Sequence, residues 1–520
     1  MGEGLIEMVS DPAIGVLDIG ATGGRVFALQ KEPGGLVLNE HHRFAHAPQS
    51  FWLTAADGSA TAVRRFWDLG TLYRGMLDGL QSIASSGSCQ LKSFGVDTWG
   101  SDGTWMSVEG DVLGLVATGR DDRWHEARGE IADRVSLRWI FYETGVYSEP
   151  FCVLNQIYWH VKHTPSLVSA SWGYMPIPSI FHYWLSGERV AETTWMSTTQ
   201  LLASGEAKYS KNVLDALGIP TEQLPPLVEP GTRLGYCSDG LAASMGLDRF
   251  EVVVPATHDT ACAYLAAPRH PGSRPILISL GTWSLVSIPC STPMVNEGIF
   301  SAGLTNVGGC EETYLQAVVM GTWPAQQLRR EWSDRRQQEM TWRDLTSIAS
   351  EGPGPRHVVD INHPVFYAPS SVSAAVVYYC ELTGQDVPRT DADIARAIYD
   401  GLAIRIALAC EDLESVTRYS ADEIVLVGGG TRDSNLCQSI ADSSGLPVRT
   451  GFSDATAAGN ALVQARSLGW ISSYEEGLAC LRLPQHDSLN GSSAYLPGRG
   501  SRWSDAKGKM REWQRDYKSL

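Results

Sequence analysis

Four short stretches of this chain place a carboxylate, a hydroxyl or bare glycine backbone at the end of an apolar run, where side chains and amides can meet a ligand. In residues 252–265, V-V-V-P-A-T-H-D-T-A-C-A-Y-L, a β-branched run ends in Thr257, His258, Asp259 and Thr260, and small residues follow that can begin a helix. An aspartate at the carboxyl end of a buried strand has its direction fixed by the scaffold, so Asp259 can act as a general base. The same residues would also serve as an ordinary helix cap. In residues 14–29, I-G-V-L-D-I-G-A-T-G-G-R-V-F-A-L, two apolar runs flank a glycine-rich turn, which predicts a β-hairpin. The amides of Gly20, Ala21, Thr22, Gly23 and Gly24, with the Thr22 hydroxyl, can hold phosphate oxygens, and Asp18 can hold a magnesium ion through water. A plain hairpin is the other reading. Residues 276–288, I-L-I-S-L-G-T-W-S-L-V-S-I, repeat the design with Thr282 in the turn. Finally, E-I-V-L-V at 423–427 runs into Gly428, Gly429 and Gly430 and then N-L-C-Q-S-I-A-D, a strand, turn and helix that can seat a nucleotide against bare backbone.

Positioning these groups requires paired elements. Two hairpins with Gly-Thr turns, about 260 residues apart and each opening a half of the chain, imply a duplicated architecture whose turns clasp one polyphosphate across a cleft. Residues 36–44 predict a third strand and residues 66–83 a helix. F-G-V-D-T-W-G-S-D-G at 94–103 gives a second buried strand ending in a polar turn, and R-D-D-R-W at 120–124 offers hydroxyl-binding side chains or a solvated helix start. A proline cluster at 224–230 reads as the approach to a domain boundary. Asn306 lies in a loop of small residues, L-T-N-V-G-G. Ile394, Ile398, Leu402, Ile406 and Leu413 recur at helical spacing behind Thr390, which predicts a capped helix over 391–413. A-T-A-A-G-N-A at 455–461 reads as a close-packed helix, and the polar, basic tail from Ser501 as a surface helix.

A chain of 520 residues exceeds one simple core and implies about two to four domains. The net charge of -17 argues against nucleic acid or an anionic membrane as partner, though a local basic pocket for phosphate is compatible with it. The start lacks the basic flank and apolar core of a signal peptide and no apolar run reaches about 18 residues, so a cytoplasmic location is expected. Ten cysteines without a C-x-x-C pair argue against a zinc site or a disulfide framework, and most are expected to be reduced, buried thiols. G-x-x-x-x-G-K-[ST], G-x-S-x-G and H-E-x-x-H do not occur, nor does G-x-G-x-x-G after a strand, which removes the sequence support for P-loop enzymes, serine hydrolases, zincins and Rossmann dehydrogenases.

Taken together, D-I-G-A-T-G-G-R from Asp18, D-T-W-G at 97–100, G-R-D-D-R near Arg120, T-H-D-T-A at 257–261, L-G-T-W-S from Leu280 and V-G-G-G from Val427 resemble the FGGY family of carbohydrate kinases, in the family's order, over residues 14–470. The resemblance implies an α/β fold of two actin-like (ribonuclease H-like) domains, mixed sheets flanked by helices, with an ATP and sugar cleft between them. Residues 11–250 would form the first domain, 251–472 the second, and 473–520 an extension packed on the surface. It implies Asp259 as the base, with His258, Thr260, Gly100 and Asn306 at the sugar. Gly20, Ala21, Thr22, Gly23, Gly24 and Thr282 would grip the phosphates, Gly429 and Gly430 would lie by the adenosine, and Asp18 would hold Mg2+. The implied reaction is phosphoryl transfer from ATP to the 1-hydroxyl of a ketose, L-rhamnulose first, with L-fuculose, L-ribulose, D-xylulose or a polyol as alternatives and an inactive nucleotide-binding regulator as the rival of another class. A monomer or homodimer is expected, with no nucleic acid or membrane partner. Two loops depart from the relevant branch of the family: S-E-P-F-C-V-L-N-Q at 148–156, and L-T-N-V-G-G around Asn306.

Overall fold

Each Gly-Thr turn closes an antiparallel hairpin at the centre of a seven-stranded sheet. The computed structural model describes residues 11–518 apart from 55–57, 59–60, 88, 353, 368, 484–492, 499 and 501. The first hairpin joins Asp11–Gly20 to Gly23–Glu32, and the second joins Pro275–Leu280 to Trp283–Cys290. Around the first, Gly35–Ala45 adds an antiparallel strand on one side, while Cys89–Thr98 and then Glu251–Val253 add parallel strands on the other. Around the second, Thr313–Met320 takes the antiparallel place, and Glu423–Val427 and Val448–Thr450 the two parallel ones. The same five-strand order thus occurs twice, and helices cover both sheets: the duplicated α/β architecture expected from the repeated hairpins.

The two halves share a core. Ile14, Val16, Phe27 and Leu29 of the first hairpin are fully buried, and they belong to one apolar cluster with Ala457, Ala458 and Ala461 of the helix Ala455–Ser467. Small residues let this helix approach closely: a Cβ on Gly459 would strike the Cys262 carbonyl of the helix Asp259–Leu265. Polar groups on the helix satisfy buried groups of the first sheet. Gln464 Nε2 donates to the Gly15 carbonyl at 2.9 Å, Ser93 Oγ donates to Gln464 Oε1 at 2.7 Å, and Asn460 Nδ2 donates to Asp97 Oδ2 at 2.6 Å.

Several boundaries differ from expectation for local reasons. The helix expected over 66–83 runs Leu69–Ser85, because Asp68 accepts from the Thr71 amide at 3.1 Å and caps it, leaving Phe66 and Trp67 to end the strand Thr61–Trp67. The strand and helix expected at 36–44 and 391–413 form as Gly35–Ala45 and Asp391–Thr417, the helix capped by Thr390 Oγ1 accepting from the Asp393 amide at 3.1 Å. The first sheet reaches past residue 250, since Glu251–Val253 pairs with Cys89–Thr98; the proline cluster before it leads into Arg233–Tyr236, which returns to that sheet instead of leaving it. Beyond residue 473 the chain does more than cover the surface. Leu481–Arg482 joins the edge of the first sheet beside Gly35–Ala45, and Ala494–Tyr495 joins the second beside Val448–Thr450. The helix Arg502–Lys518 lies on Asp391–Thr417, where Lys507 and Arg511 reach Glu411 at 2.6 and 3.0 Å. Among the described residues no disulfide joins the ten cysteines, and no helix is long and apolar enough to cross a membrane.

Gly459→Val drives a side chain into the Cys262 carbonyl. It is expected to lower the urea unfolding midpoint, at a cost of about 1–3 kcal/mol, and to reduce turnover because the helix it displaces begins with Asp259.

Candidate active site

The stretch containing Asp259 is clamped to a strand end. The Thr98 amide donates to the Thr257 carbonyl at 2.9 Å, and Thr98 and His258 form a parallel bridge that extends the pairing beyond Glu251–Val253. Glu192, fully enclosed, accepts from the Thr257 amide at 2.8 Å and its hydroxyl at 3.0 Å, while also accepting from the Thr194 amide at 2.5 Å. Asp259 then opens the helix Asp259–Leu265. Its Oδ1 accepts from the Thr260 amide at 2.6 Å and the Thr260 hydroxyl at 3.1 Å, which aims the carboxylate. The Asp259 side chain remains 29% exposed, so a substrate can reach it.

Burial, and then the negative charge of Asp18, raise the Asp259 pKa to about 7 against the hydrogen bonds from Thr260. Burial acts oppositely on His258 and lowers its pKa to about 4. At neutral pH the imidazole is uncharged, and its Nε2, 3.6 Å from Asp259 Oδ1, makes no ion pair. Gly100 lies on that ring: a Cβ there would stand 2.7 Å from His258 Cδ2 and Nε2. Gly100, His258, Asp259 and Thr260 therefore meet at one place. Asn306 is differently employed. Its Oδ1 accepts from the Met294 amide at 2.8 Å and its Nδ2 donates to the carbonyls of Gly145 and Met294 at 2.8 and 3.0 Å, so both amide protons hold loops together.

The first hairpin brings a second carboxylate alongside. Asp18 stands opposite Arg25 in the hairpin register and beside Asp97 on the parallel strand. Arg25 Nη2 donates to Asp18 Oδ2 at 2.6 Å, and Arg25 also pairs with Asp454, just ahead of the helix Ala455–Ser467. Asp97 is fully buried; burial, and then Asp18, raise its pKa well above the ordinary carboxylate value, with the Asn460 hydrogen bond opposing. At the turn, Thr22 is exposed and Gly20, Ala21 and Gly23 are partly so, whereas Gly24 is buried, with the Phe44 ring where a Cβ would be. The glycine at 24 is thus required by packing, and residues 20–23 face outward.

The oxygen donors here suit a hard cation such as magnesium, which commonly binds through one or two carboxylates and substrate phosphates in place of a full protein cage. Among the described residues, the set of three mutually close potential ligands is Glu126, Glu130 and His163, and there Glu130 already pairs with Lys162 and His163 at 2.8 and 3.2 Å.

The second hairpin turn is braced from behind. The Gly321 and Thr322 amides donate to the carbonyls of Thr282 and Gly281 at 3.0 and 2.8 Å, and Gln326 Nε2 donates to the Thr282 hydroxyl at 3.2 Å. Since Pro275–Leu280 and Glu423–Val427 are parallel neighbours, Thr282 and the glycines at 428–430 emerge side by side. Gly428 takes φ +91°, a Cβ on Gly430 would fall on the Leu280 side chain, and Gly429 is open.

Residues 13–266 match the N-terminal domain, and residues 276–468 the C-terminal domain, of the FGGY family of carbohydrate kinases. The chain belongs to this family. FGGY members are ATP-dependent sugar kinases, and this chain is one. It is 31% identical over 454 residues to the rhamnulokinase of Ligilactobacillus salivarius, covering 87% of this chain and 90% of that one. It is 30% identical over 468 residues to the rhamnulokinase of Bacillus subtilis, covering 90% and 92%. Among solved structures, a xylulose kinase from Lactobacillus acidophilus superposes with a TM-score of 0.75 at 14% identity, over 98% of both chains. A glycerol kinase from Plasmodium falciparum with ADP gives 0.73 at 14% identity, again over 98% of both. These likenesses carry the two-domain FGGY fold.

Arg25, Asp97, Glu192, Asp454 and Asn460 were not among the residues expected at the site. Arg25 had a readable signal, since a two-residue turn at Ala21 and Thr22 sets it opposite Asp18. The others depend on contacts between distant parts of the chain.

Two measurements test this arrangement. Asp259 accepts a proton only when ionised, so kcat/KM for the sugar is expected to fall about tenfold per unit below about pH 7. Asp18→Asn removes the repelling charge and should move that acid limb to lower pH; an unmoved limb would show that Asp18 exerts no hold on Asp259. Gly100→Ala presses on the His258 ring and is expected to raise the sugar KM by about tenfold or more while ATP affinity, measured by calorimetry, is kept.

Proposed function

We propose that this kinase transfers the γ-phosphoryl group of MgATP to the 1-hydroxyl of L-rhamnulose, giving L-rhamnulose 1-phosphate. The observation that carries the choice of sugar is likeness, at about 30% identity across about nine-tenths of the chain, to several proteins named rhamnulokinase. Asp259, with its pKa near neutrality and its carboxylate aimed by Thr260, takes the proton from the attacking hydroxyl. Neutral His258 lies against the glycine at 100 and offers the sugar a polar edge without quenching the base. Thr260 serves the base directly, and Asn306 serves the sugar site through the loops it ties at Gly145 and Met294.

Backbone at 20–23 and the turn at Thr282 cradle the phosphates, with Gly429 and Gly430 beside the adenosine. Asp18 would hold magnesium, whose charge draws electron density from the phosphate oxygens. No covalent intermediate is needed, because positioning and charge stabilisation supply the catalysis. The departing loop at 148–156 borders this region: the Phe151 carbonyl accepts from Ser101 Oγ at 2.9 Å, and Gln156 Nε2 donates to the buried Asp102 at 3.0 Å.

ADP release across L-rhamnulose, L-fuculose, L-ribulose, D-xylulose and glycerol tests the sugar. The highest kcat/KM is expected with L-rhamnulose, and a higher value with any other compound reassigns the substrate. Asp259→Asn is expected to lower kcat by about 100- to 10,000-fold with ATP binding intact; retained turnover removes Asp259 as base.

A further inference from the structure

Arg120 of the first domain reaches into an aromatic cage built by the second. Its guanidinium carbon is 4.4 Å from the centre of the Trp323 ring, 5.1 Å from that of Tyr367 and 5.8 Å from that of Trp283. Among the described residues no carboxylate forms a salt bridge with it; the groups whose charge bears on it are Tyr367 and a second cation, Arg65. Burial lowers its pKa, yet a guanidinium stays charged at neutral pH. Charges withdrawn from water are ordinarily paired with an opposite charge, and aromatic faces compensate for only part of that loss. This cation is therefore short of an anion.

Its surroundings say which anion. The preceding residue, Gly119, lies against the turn on the sugar side, where a Cβ would stand 3.3 Å from Asp102 Oδ1 and 3.5 Å from Ser101 Oγ; Gly100 in the same turn touches His258. On the other side, Trp283 directly follows Thr282 of the phosphate turn. Trp323 follows Thr322, whose amide and hydroxyl bind the Gly281 carbonyl at 2.8 and 2.9 Å. Arg120 thus stands between the turn assigned to the acceptor and the turn assigned to the phosphates, and it is held there by rings that orient the cation without neutralising it.

We propose that Arg120 is a further catalytic residue of this kinase, contacting the oxygens of the phosphoryl group as it passes from ATP to the sugar. In that step the bond from the γ-phosphorus to the β–γ bridging oxygen breaks and its electron pair leaves with ADP. A bond from the sugar oxygen to phosphorus forms, and the hydroxyl proton goes to Asp259. Arg120 exchanges neither proton nor electrons; its planar fork can meet two of the phosphoryl oxygens while their charge is redistributed. The proposal rests on phosphoryl transfer and not on which sugar accepts, so its test uses whichever compound of the panel turns over fastest.

Arg120→Met and Arg120→Lys should each lower kcat by about 100-fold or more, while the KM values for sugar and ATP stay within about threefold of wild type. Inhibition by ADP with aluminium fluoride in the presence of the sugar, which mimics the group in transit, should weaken by a matching factor. Three results overturn the proposal. One is kcat within about threefold of wild type. Another is a raised sugar KM at unchanged kcat, which would make Arg120 a hydroxyl ligand. The third is a rise of both KM values together with a lower unfolding midpoint, which would make the cage only a latch between domains.

Discussion

Like charges gathered in one poorly solvated place set the terms for the rest of this molecule. Asp18 and Asp97 are neighbours on parallel strands, and Asp259 opens a helix whose preceding turn is bonded to the end of one of those strands. Such crowding raises the proton affinity of Asp97 and Asp259 and costs stability whenever neighbouring carboxylates ionise together. The fold offsets it selectively. Arg25 links Asp18 to Asp454, and Asn460 donates to Asp97, while among the described residues Asp259 receives hydrogen bonds only from its own neighbour Thr260. Asp259, the carboxylate proposed as the base, thus has its pKa raised to about 7.

The two compensating groups differ in origin. Arg25 lies in the first hairpin, whereas Asn460 belongs to a helix from the second half of the chain that is buried against the first sheet, and Asp454 just ahead of that helix shares Arg25 with Asp18. Part of the polar support for the first domain is thus lent by the second. A rotation of that helix relative to the first hairpin would alter how well Asp18 is neutralised, and with it the proton affinity of Asp259.

What could be read in the sequence was whatever a short window contains. The turns at residues 20–24, 281–282 and 428–430 announce themselves by small residues between apolar runs, and Asp259 by its position after a β-branched run. The repeat of the hairpin implied the duplicated architecture, and the structure bears it out over five strands of each sheet. Other features had no local trace. The Asp97–Asn460 and Arg25–Asp454 contacts span 363 and 429 residues, and Glu192 reaches Thr257 across 65. Asn306 illustrates the converse. Its motif suggested a ligand contact, but which loops would claim its amide depends on where Gly145 and Met294 come to lie. Gly24 is similar, since only the Phe44 ring reveals that its missing side chain serves packing.

The strand Leu481–Arg482 at the edge of the first sheet has a further meaning for how the molecule is made. The first hairpin precedes every other strand of its sheet in the chain, yet that sheet gains one edge strand only with Leu481–Arg482. The inner face of that hairpin shares its cluster with Ala263 and Tyr264 and gains the rest of its cover when Ala455–Ser467 arrives. Until that helix arrives, the cluster of Ile14, Val16, Phe27 and Leu29 is incomplete, and the edge of Gly35–Ala45 stays unpaired until Leu481–Arg482 follows. Domains usually fold as they emerge, amino-terminal end first. Here the sheet begun first waits for a strand from the far end of the chain, as the second waits for Ala494–Tyr495, which leaves its apolar strands open while several hundred residues follow.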